Sequence, residues 1–370
     1  MMIVIEQERL SAAISLARKV VAKHFSRPVL SNLLVEADHA TQAVKLTGFD
    51  ESTALTLSVP AEVSASVGVC LPAKLLGDII SRLEGQITLE MGEDQTIGIV
   101  CGASRYEVRG LSADQFPVLP DVEGDPFNLS VEVLSAGIET ALPFVSDDAT
   151  KRVINGVNLA AHEREIQIAA TDGHRLSVRA AACDTDNVEV TIPGDALSLL
   201  NTYLKTCEPS ESVSIALDDI QCRFEVGDFR MIARILDGQY PNYQKLIPTE
   251  FQNKQVIPRQ AVLDSLNRLA AVSAMVNHMI RINLEPGKMT LSSDARESGN
   301  GKEVVPLEEG DAPLEPMVIG FNSQYLAQAL KVTPGDQVLF CYNTPTKPVV
   351  ITPLSGGQTN LIMPVQIRSF

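Results

Sequence analysis

Apolar and polar positions alternate along this chain in short runs, each closed by a turn. Ile166 to Ala170 alternates, meets Thr171-Asp172-Gly173, and continues through Leu176 to Ala181. The stretch from Ala169 to Ala181 therefore reads as strand, tight turn and strand. Aspartate can bond its own backbone there, and glycine is free to take a positive φ. The same pattern recurs at Val44 to Thr47 and Met289 to Leu291. Each run leads to an aspartate, at 50, 172 and 294, and both intervals are 122 residues. Upstream lie three comparable apolar strands, Val29 to Val35, Val153 to Leu159 and Met279 to Leu284. A bulky residue followed by proline closes each period: Phe116-Pro117, Tyr240-Pro241 and Met363-Pro364. Landmarks of different kinds agreeing on one period predict three copies of one domain, at 1–123, 124–249 and 250–370.

Each copy is doubled inside. A strand at Ile3 to Ile5 precedes Leu10, Ala13, Ile14, Ala17 and Val21 on one helical face. Val69 to Pro72 then precedes Leu75, Leu76, Ile79, Ile80 and Leu83 at the same spacing. The second copy repeats the pair at Leu129 to Leu142 and at Val190 to Leu204. The third has Val256 to Leu269 and Met317 to Val332. Pro72, Pro193 and Pro258 suit a first helical turn. Short strands, such as Arg223 to Val226 and Phe229 to Ile235, fill the intervals. The prediction is α+β: six strand–helix–strands units with more strand than helix.

Composition narrows the class. The 370 residues are 45% hydrophobic and 21% charged, as in soluble globular proteins. No apolar run reaches a membrane span, and the first residues lack a signal peptide's pattern. Six cysteines, at 70, 101, 183, 207, 222 and 341, show no Cys-x-x-Cys pair, so thiols in a reducing cytoplasm are expected. The net charge of −16 argues against a simple nucleic-acid binder. Its distribution argues otherwise. The six helices total +3, which leaves −19 for strands and loops. One reading is ordinary solvated helix faces. The other gathers the helices against nucleic acid and turns the acidic sheets away. No base-reading motif is present, so contact would be to phosphate and salt-sensitive.

Thr171-Asp172-Gly173-His174-Arg175-Leu176, Leu236 to Tyr243 and the closing Met363-Pro364-Val365 resemble the bacterial sliding-clamp family, the β subunit of DNA polymerase III. The resemblance spans the whole chain. It implies three DNA-clamp domains and a homodimeric ring closed head to tail, with helices inside and sheets outside. It further implies no cofactor and no catalytic residues. Partners would be double-stranded DNA, a second copy, the polymerase catalytic subunit, the clamp loader and other clients carrying a short linear motif. Positions matching the family's peptide cleft are Ile154, Thr171, Gly173, His174, Leu176, Pro241, Leu246, Asn322, Tyr325, Leu361, Met363, Pro364 and Val365. Mostly apolar side chains with a few polar groups suit an extended peptide. The alternative makes Leu176, Leu246 and Met363 plain core. Arg368-Ser369-Phe370 runs past the family's usual end.

On the same resemblance, Arg9, Lys23, Lys74, Arg82, Lys205, Arg259, Arg268 and Lys331 of the helices face DNA. Arg27 matches a contact position, and Lys151 and Arg152 stand where the family often has aromatics. Ring closure would pair an edge strand carrying Arg105, Tyr106, Val108 and Arg109 with a third-domain patch. The expected patch is Ala270 to Val272, including Ala271 and Val272, with Glu297 and Glu303. The two patches differ, so the contact is heterologous.

Asp172 and His174 also admit a hydrolase or metal enzyme. A general base needs a nucleophile or oriented water, yet no Gly-x-Ser-x-Gly, His-Glu-x-x-His or P-loop string occurs. The five histidines show no metal-ligand spacing. Asp50 and Asp294 hold the equivalent turns without a Gly-His pair, so a structural aspartate is the better account.

Overall fold

The computed structural model describes residues 1–21, 27–92, 94–185, 188–295, 298–307 and 316–367. Its repeating motif is strand, helix and three strands, six times over. The first copy runs β1 (Met2–Glu6), α1 (Gln7–Ala17), β2 (Asn32–Asp38), β3 (Ala43–Phe49) and β4 (Thr53–Pro60). After a short β5 (Glu62–Val63) come β6 (Val67–Pro72), α2 (Ala73–Ile80), β7 (Gln86–Met91), β8 (Thr96–Cys101) and β9 (Ser104–Arg109), then β10 (Leu111–Ser112). The second copy runs β11 (Phe127–Ser130), α3 (Val131–Ala141), β12 (Gly156–His162), β13 (Glu165–Thr171) and β14 (Arg175–Ala182). Its second half is β15 (Val188–Pro193), α4 (Gly194–Leu204), β16 (Ser212–Leu217), β17 (Gln221–Val226) and β18 (Phe229–Arg234). The third copy runs β19 (Asn253–Pro258), α5 (Arg259–Ala274), β20 (Met279–Glu285), β21 (Lys288–Asp294) and β22 (Asn300–Pro306). It closes with β23 (Met317–Asn322), α6 (Ser323–Val332), β24 (Gln337–Tyr342), β25 (Val349–Pro353) and β26 (Gln358–Ile362).

The chain forms two compact units, and the second copy is shared between them. One unit is Met1–Glu132 with Ser198–Ile235; the other is Val133–Leu197 with Leu236–Phe370. The first unit holds a five-stranded sheet, β5-β1-β7-β8-β9, and a nine-stranded sheet, β10-β6-β2-β3-β4-β18-β17-β16-β11. All of its pairings are antiparallel. β4 joins β18 with Thr53 opposite Ala233 and Leu57 opposite Phe229, so one sheet runs from the first copy into the second. α1 buries Leu10, Ala13, Ile14 and Ala17, the i, i+3, i+4, i+7 set of one helical face. Each large aliphatic side chain buried this way stabilises by about 1.5–3 kcal/mol. Asp121 bonds the guanidinium groups of Arg223 at 3.0 Å and Arg230 at 2.7 Å. With the Val122 amide, those contacts hold its carboxyl below the usual aspartate range.

The second unit holds an eight-stranded sheet, β15-β12-β13-β14-β26-β25-β24-β19, and a four-stranded sheet, β22-β21-β20-β23. Here β14 joins β26, with Arg175 opposite Ile362 and Leu176 opposite Leu361. Ser177 Oγ meets Asn360 Oδ1 at 2.7 Å across that junction, which satisfies two buried polar groups.

Several sequence expectations shift. Val20, not Val21, is the buried residue after α1, because the helix tightens into a 3-10 turn at Arg18–Val20. The strands expected at Val29 and Val153 begin with 3-10 turns at Pro28–Ser31 and Arg152–Ile154. Leu129 belongs to β11 and Met317 to β23, so those helices start later than their apolar runs. Leu75 is exposed, while Leu76 and Ile80 are buried. The three prolines end strands instead of opening helices; Pro72 and Pro258 sit at the N-cap, where no donor is lost from the helix. Arg18 and Lys19 lie in the 3-10 turn after α1, and Arg82, Glu84 and Lys205 lie beyond α2 and α4, so the six helices carry six acidic and five basic side chains and the expected surplus of +3 is not found. Ala271 and Val272 are helical, on α5, so that segment has no free ladder for another chain. The third copy's outer strand is β22, which carries Glu303. Lys23, Glu297 and the Arg368–Phe370 tail lie outside the described residues.

Candidate partner-binding cleft

The turn between β13 and β14 is built on Asp172. Its Oδ1 accepts from the amides of His174 at 2.8 Å and Arg175 at 3.0 Å, while Oδ2 accepts Arg175 Nε at 2.8 Å. Gly173 sits at φ +92°, where a side chain would be strained. The first copy makes the same turn. Asp50 Oδ1 accepts from the amides of Ser52 and Thr53 at 2.9 and 2.7 Å, and Glu51 takes φ +75° in the place of Gly173. Both oxygens of Asp172 are thus committed to the frame.

What the second copy adds is Arg175, standing where the first has Thr53. Its guanidinium lies 5.1 Å from the Phe144 ring centroid and 4.3 Å from that of Tyr325, and it donates to Gln328 Oε1. The arginine is buried and paired with a carboxylate, as a buried cation must be. Tyr325 also stacks on His174, with centroids 6.3 Å apart and planes at 22°. Asn322 orients that wall: its Oδ1 accepts from the amides of Gln324 and Tyr325 and caps α6.

The segment 363–365 adjoins this wall. The Met363 amide donates to His174 O at 2.9 Å, and the Val365 amide donates to Gly320 O at 2.8 Å, placing 363–365 beside β23. Below lie Ile154, Leu176 and Leu361, packed in one buried cluster with Tyr240 and Tyr243. Tyr240 Oη accepts from the Thr171 amide at 3.0 Å. Burial pushes the Tyr240 hydroxyl up and raises that of Tyr243 to about 12, so both stay neutral. Above this floor Leu246, Met363 and Val365 remain 57%, 39% and 40% exposed, and Pro241 is also exposed. Of the residues with a plain-core alternative, Leu176 is core, whereas Leu246 and Met363 are not. Exposed apolar side chains over an apolar floor can hold alternate side chains of an extended peptide. Among the described residues, no group of three or more His, Cys, Asp or Glu could hold a metal ion.

Sequence reasoning missed Arg175, Phe144, Gln328 and Tyr240. Arg175 had a signal: it stands inside the Thr171–Leu176 string, directly after the turn. Phe144 and Gln328 lie far off in sequence and had none.

Gly320 is a testable part of the seat. A Cβ there would lie 2.5 Å from Val365 O and 2.8 Å from Ile367 Cγ1, so Gly320→Ala must displace the terminal segment. Overpacking of this kind costs about 1–3 kcal/mol. Calorimetric titration with a client peptide should show roughly tenfold weaker binding; unchanged affinity would mean the segment's place on β23 does not matter.

The cationic candidates fall on or beside helices in both units. Arg9 pairs with Glu6 at 3.2 Å, and Lys74 opens α2. Arg27 precedes a 3-10 turn. Lys151 pairs with Asp148 at 3.8 Å, and Arg152 follows it. Arg259 Nε is committed to Gly335 O at 2.6 Å. Arg268 bonds Glu303 at 2.7 Å, which holds that carboxyl below its usual range. Lys331 lies in the last turn of α6.

Repeated units carrying an apolar groove, with the one prominent aspartate consumed by a turn, define a binding scaffold. Family models for the N-terminal, central and C-terminal domains of the DNA polymerase III beta subunit match residues 1–120, 128–242 and 244–366. The Beta sliding clamp of Synechococcus elongatus is 38% identical, with both chains covered fully. That of Staphylococcus aureus is 31% identical over 94% of each chain. A sliding clamp structure from Pseudomonas aeruginosa superposes with TM-score 0.92 at 25% identity, covering 99% of this chain and 100% of that one. One from Bacillus subtilis shares the fold, with TM-score 0.90 at 24% identity over the full length of both. The chain belongs to the DNA polymerase III beta subunit family. It is a non-catalytic processivity factor of DNA replication, and nothing in these relatives supports a hydrolase or metal enzyme at Asp172 and His174.

Proposed function

We propose that two copies of this chain close head to tail into a ring around duplex DNA, and that the cleft tethers the polymerase, clamp loader and other clients by a short linear peptide. The carrying observation is the repeat itself. The last strand of the motif in a copy's first half is β4, β14 or β22; in its second half it is β9, β18 or β26. Within the chain β4 pairs with β18 and β14 with β26, in matching register. β22 and β9 are left without the equivalent partner, each at a sheet edge. A second copy supplies it, and the mutual exchange satisfies both exposed ladders.

The register follows. Thr53, Arg175 and Asn300 each open their strand, and the first two lie opposite Ala233 and Ile362. Val108 occupies the place of Ala233 and Ile362 in its own hairpin. Asn300 then faces the partner's Val108, Lys302 faces Tyr106 and Glu303 faces Arg105. Ala271 and Val272, on the helix packed against β22, flank this contact. The three-domain division at 1–123, 124–249 and 250–370 fits the same scheme, because each junction then separates two copies.

The cations on and beside the helices would face the enclosed DNA and touch phosphate only, which allows sliding. The six cysteines are free, as suits a cytoplasmic protein. No described helix is long and apolar enough to cross a membrane. Light scattering at micromolar concentration should return twice the 39.9 kDa chain mass; a monomer mass would overturn the paired-edge reading.

A further inference from the structure

The outer face of α1 borders a second cleft. Ala12 and Leu16, Leu57 and Val59 of β4, and Tyr203 in the last turn of α4 enclose about 550 Å³, all within the first unit. That is the size of sites that hold one small organic molecule, and the lining is mostly apolar. Tyr203 is held in place by stacking on Phe229, with centroids 4.4 Å apart and planes at 21°.

The rim carries charge of one dominant sign. Arg9, Ala12 and Leu16 follow helical spacing, and the 3-10 turn that continues α1 brings Lys19 to the same wall. Lys19 has no ion pair among the described residues, and the partner of Arg9, Glu6, is itself exposed. Asp228 is the single carboxylate of the lining. The cleft is therefore net cationic on a chain of net charge −16. The repeat does not impose this. Counted from the first helical residue, α3 has Val133, Ala136 and Thr140 in the places of Arg9, Ala12 and Leu16, and α5 has Ala261, Asp264 and Arg268.

We propose that this cleft is a second ligand site, separate from the client cleft, and that it takes a small anionic amphiphile. An aromatic or branched apolar body lies over Ala12, Leu16 and Leu57, and a carboxylate or sulfonate meets Lys19 and Arg9. The choice of occupant rests on charge complementarity: buried apolar area supplies affinity, and the two cations fix which end of the ligand points outward.

The test is a fluorescence titration of the full chain with 1-anilinonaphthalene-8-sulfonate. Saturable binding of one probe per chain is expected, weakened tenfold or more by Lys19→Glu and by Leu16→Glu, and not displaced by a client peptide. Lys19 is exposed, so Lys19→Glu decides the matter if Leu16→Glu fails to fold. Absence of saturable binding, full affinity in Lys19→Glu, or displacement by client peptide would each overturn the proposal. The last result would place the probe in the client cleft.

Discussion

Arg175→Ala is expected to abolish client-peptide binding and to lower stability by about 3–5 kcal/mol, the range for removing one member of a buried ion pair. Three losses coincide. Asp172 keeps its two amide bonds but loses its cation, Gln328 loses a donor, and the rings of Phe144 and Tyr325 lose the plane between them. Tyr325 and His174 would then no longer be held as one wall. Arg175→Lys separates charge from shape: a point charge cannot bridge a carboxylate and an amide while stacking on two rings. It should recover part of the stability and little of the peptide affinity. Denaturant unfolding and peptide titration read the two effects. Peptide affinity within twofold of the parent in Arg175→Ala would show that the arginine serves the fold alone.

The second large effect concerns the ring contact. In the proposed ring, with the register taken from the repeat, Arg105 of one protomer would meet Glu303 of the other. Arg105 already pairs with Glu90 at 2.9 Å, and Glu303 with Arg268 at 2.7 Å. Closing the contact would link these into a four-member chain of alternating sign. Arg105→Glu or Glu303→Arg places like charges opposite each other, which costs several kcal/mol and on the order of 100-fold in dimer Kd. Joined in one chain, the two changes should restore the dimer, since attraction returns with its sign exchanged. Sedimentation of the double variant as a dimer is read by analytical ultracentrifugation. A double variant as monomeric as either single one would show that the two side chains do not meet.

The repeat was legible in the sequence because turn chemistry is local. Asp50 and Asp172 can cap their own turns whatever surrounds them, so they keep their spacing. Helix starts were less legible. Leu129 is buried in β11 and Met317 half-buried at the start of β23, and one apolar run gives no sign of where strand yields to helix. The mistaken outer strand had the same origin: Ala270 to Val272 is apolar and short, but it lies inside the sixteen-residue α5, whose buried face is set by Val262, Leu266 and Leu269. In the cleft, the matched positions fall on the β13–β14 turn, the chain end and the cap of α6. The pairing of β14 with β26 that joins two of these walls is a long-range contact with no local sequence signature.

Enclosure of the duplex is tested most directly by DNA topology. The protein is placed by a clamp loader on nicked circular plasmid or on the same plasmid made linear, then passed through a sizing column in high salt. Phosphate contacts weaken steeply under these conditions, so electrostatic binding alone fails on both forms alike. A closed ring predicts retention on the circle and loss from the free ends of the linear form. Equal loss from both would contradict it.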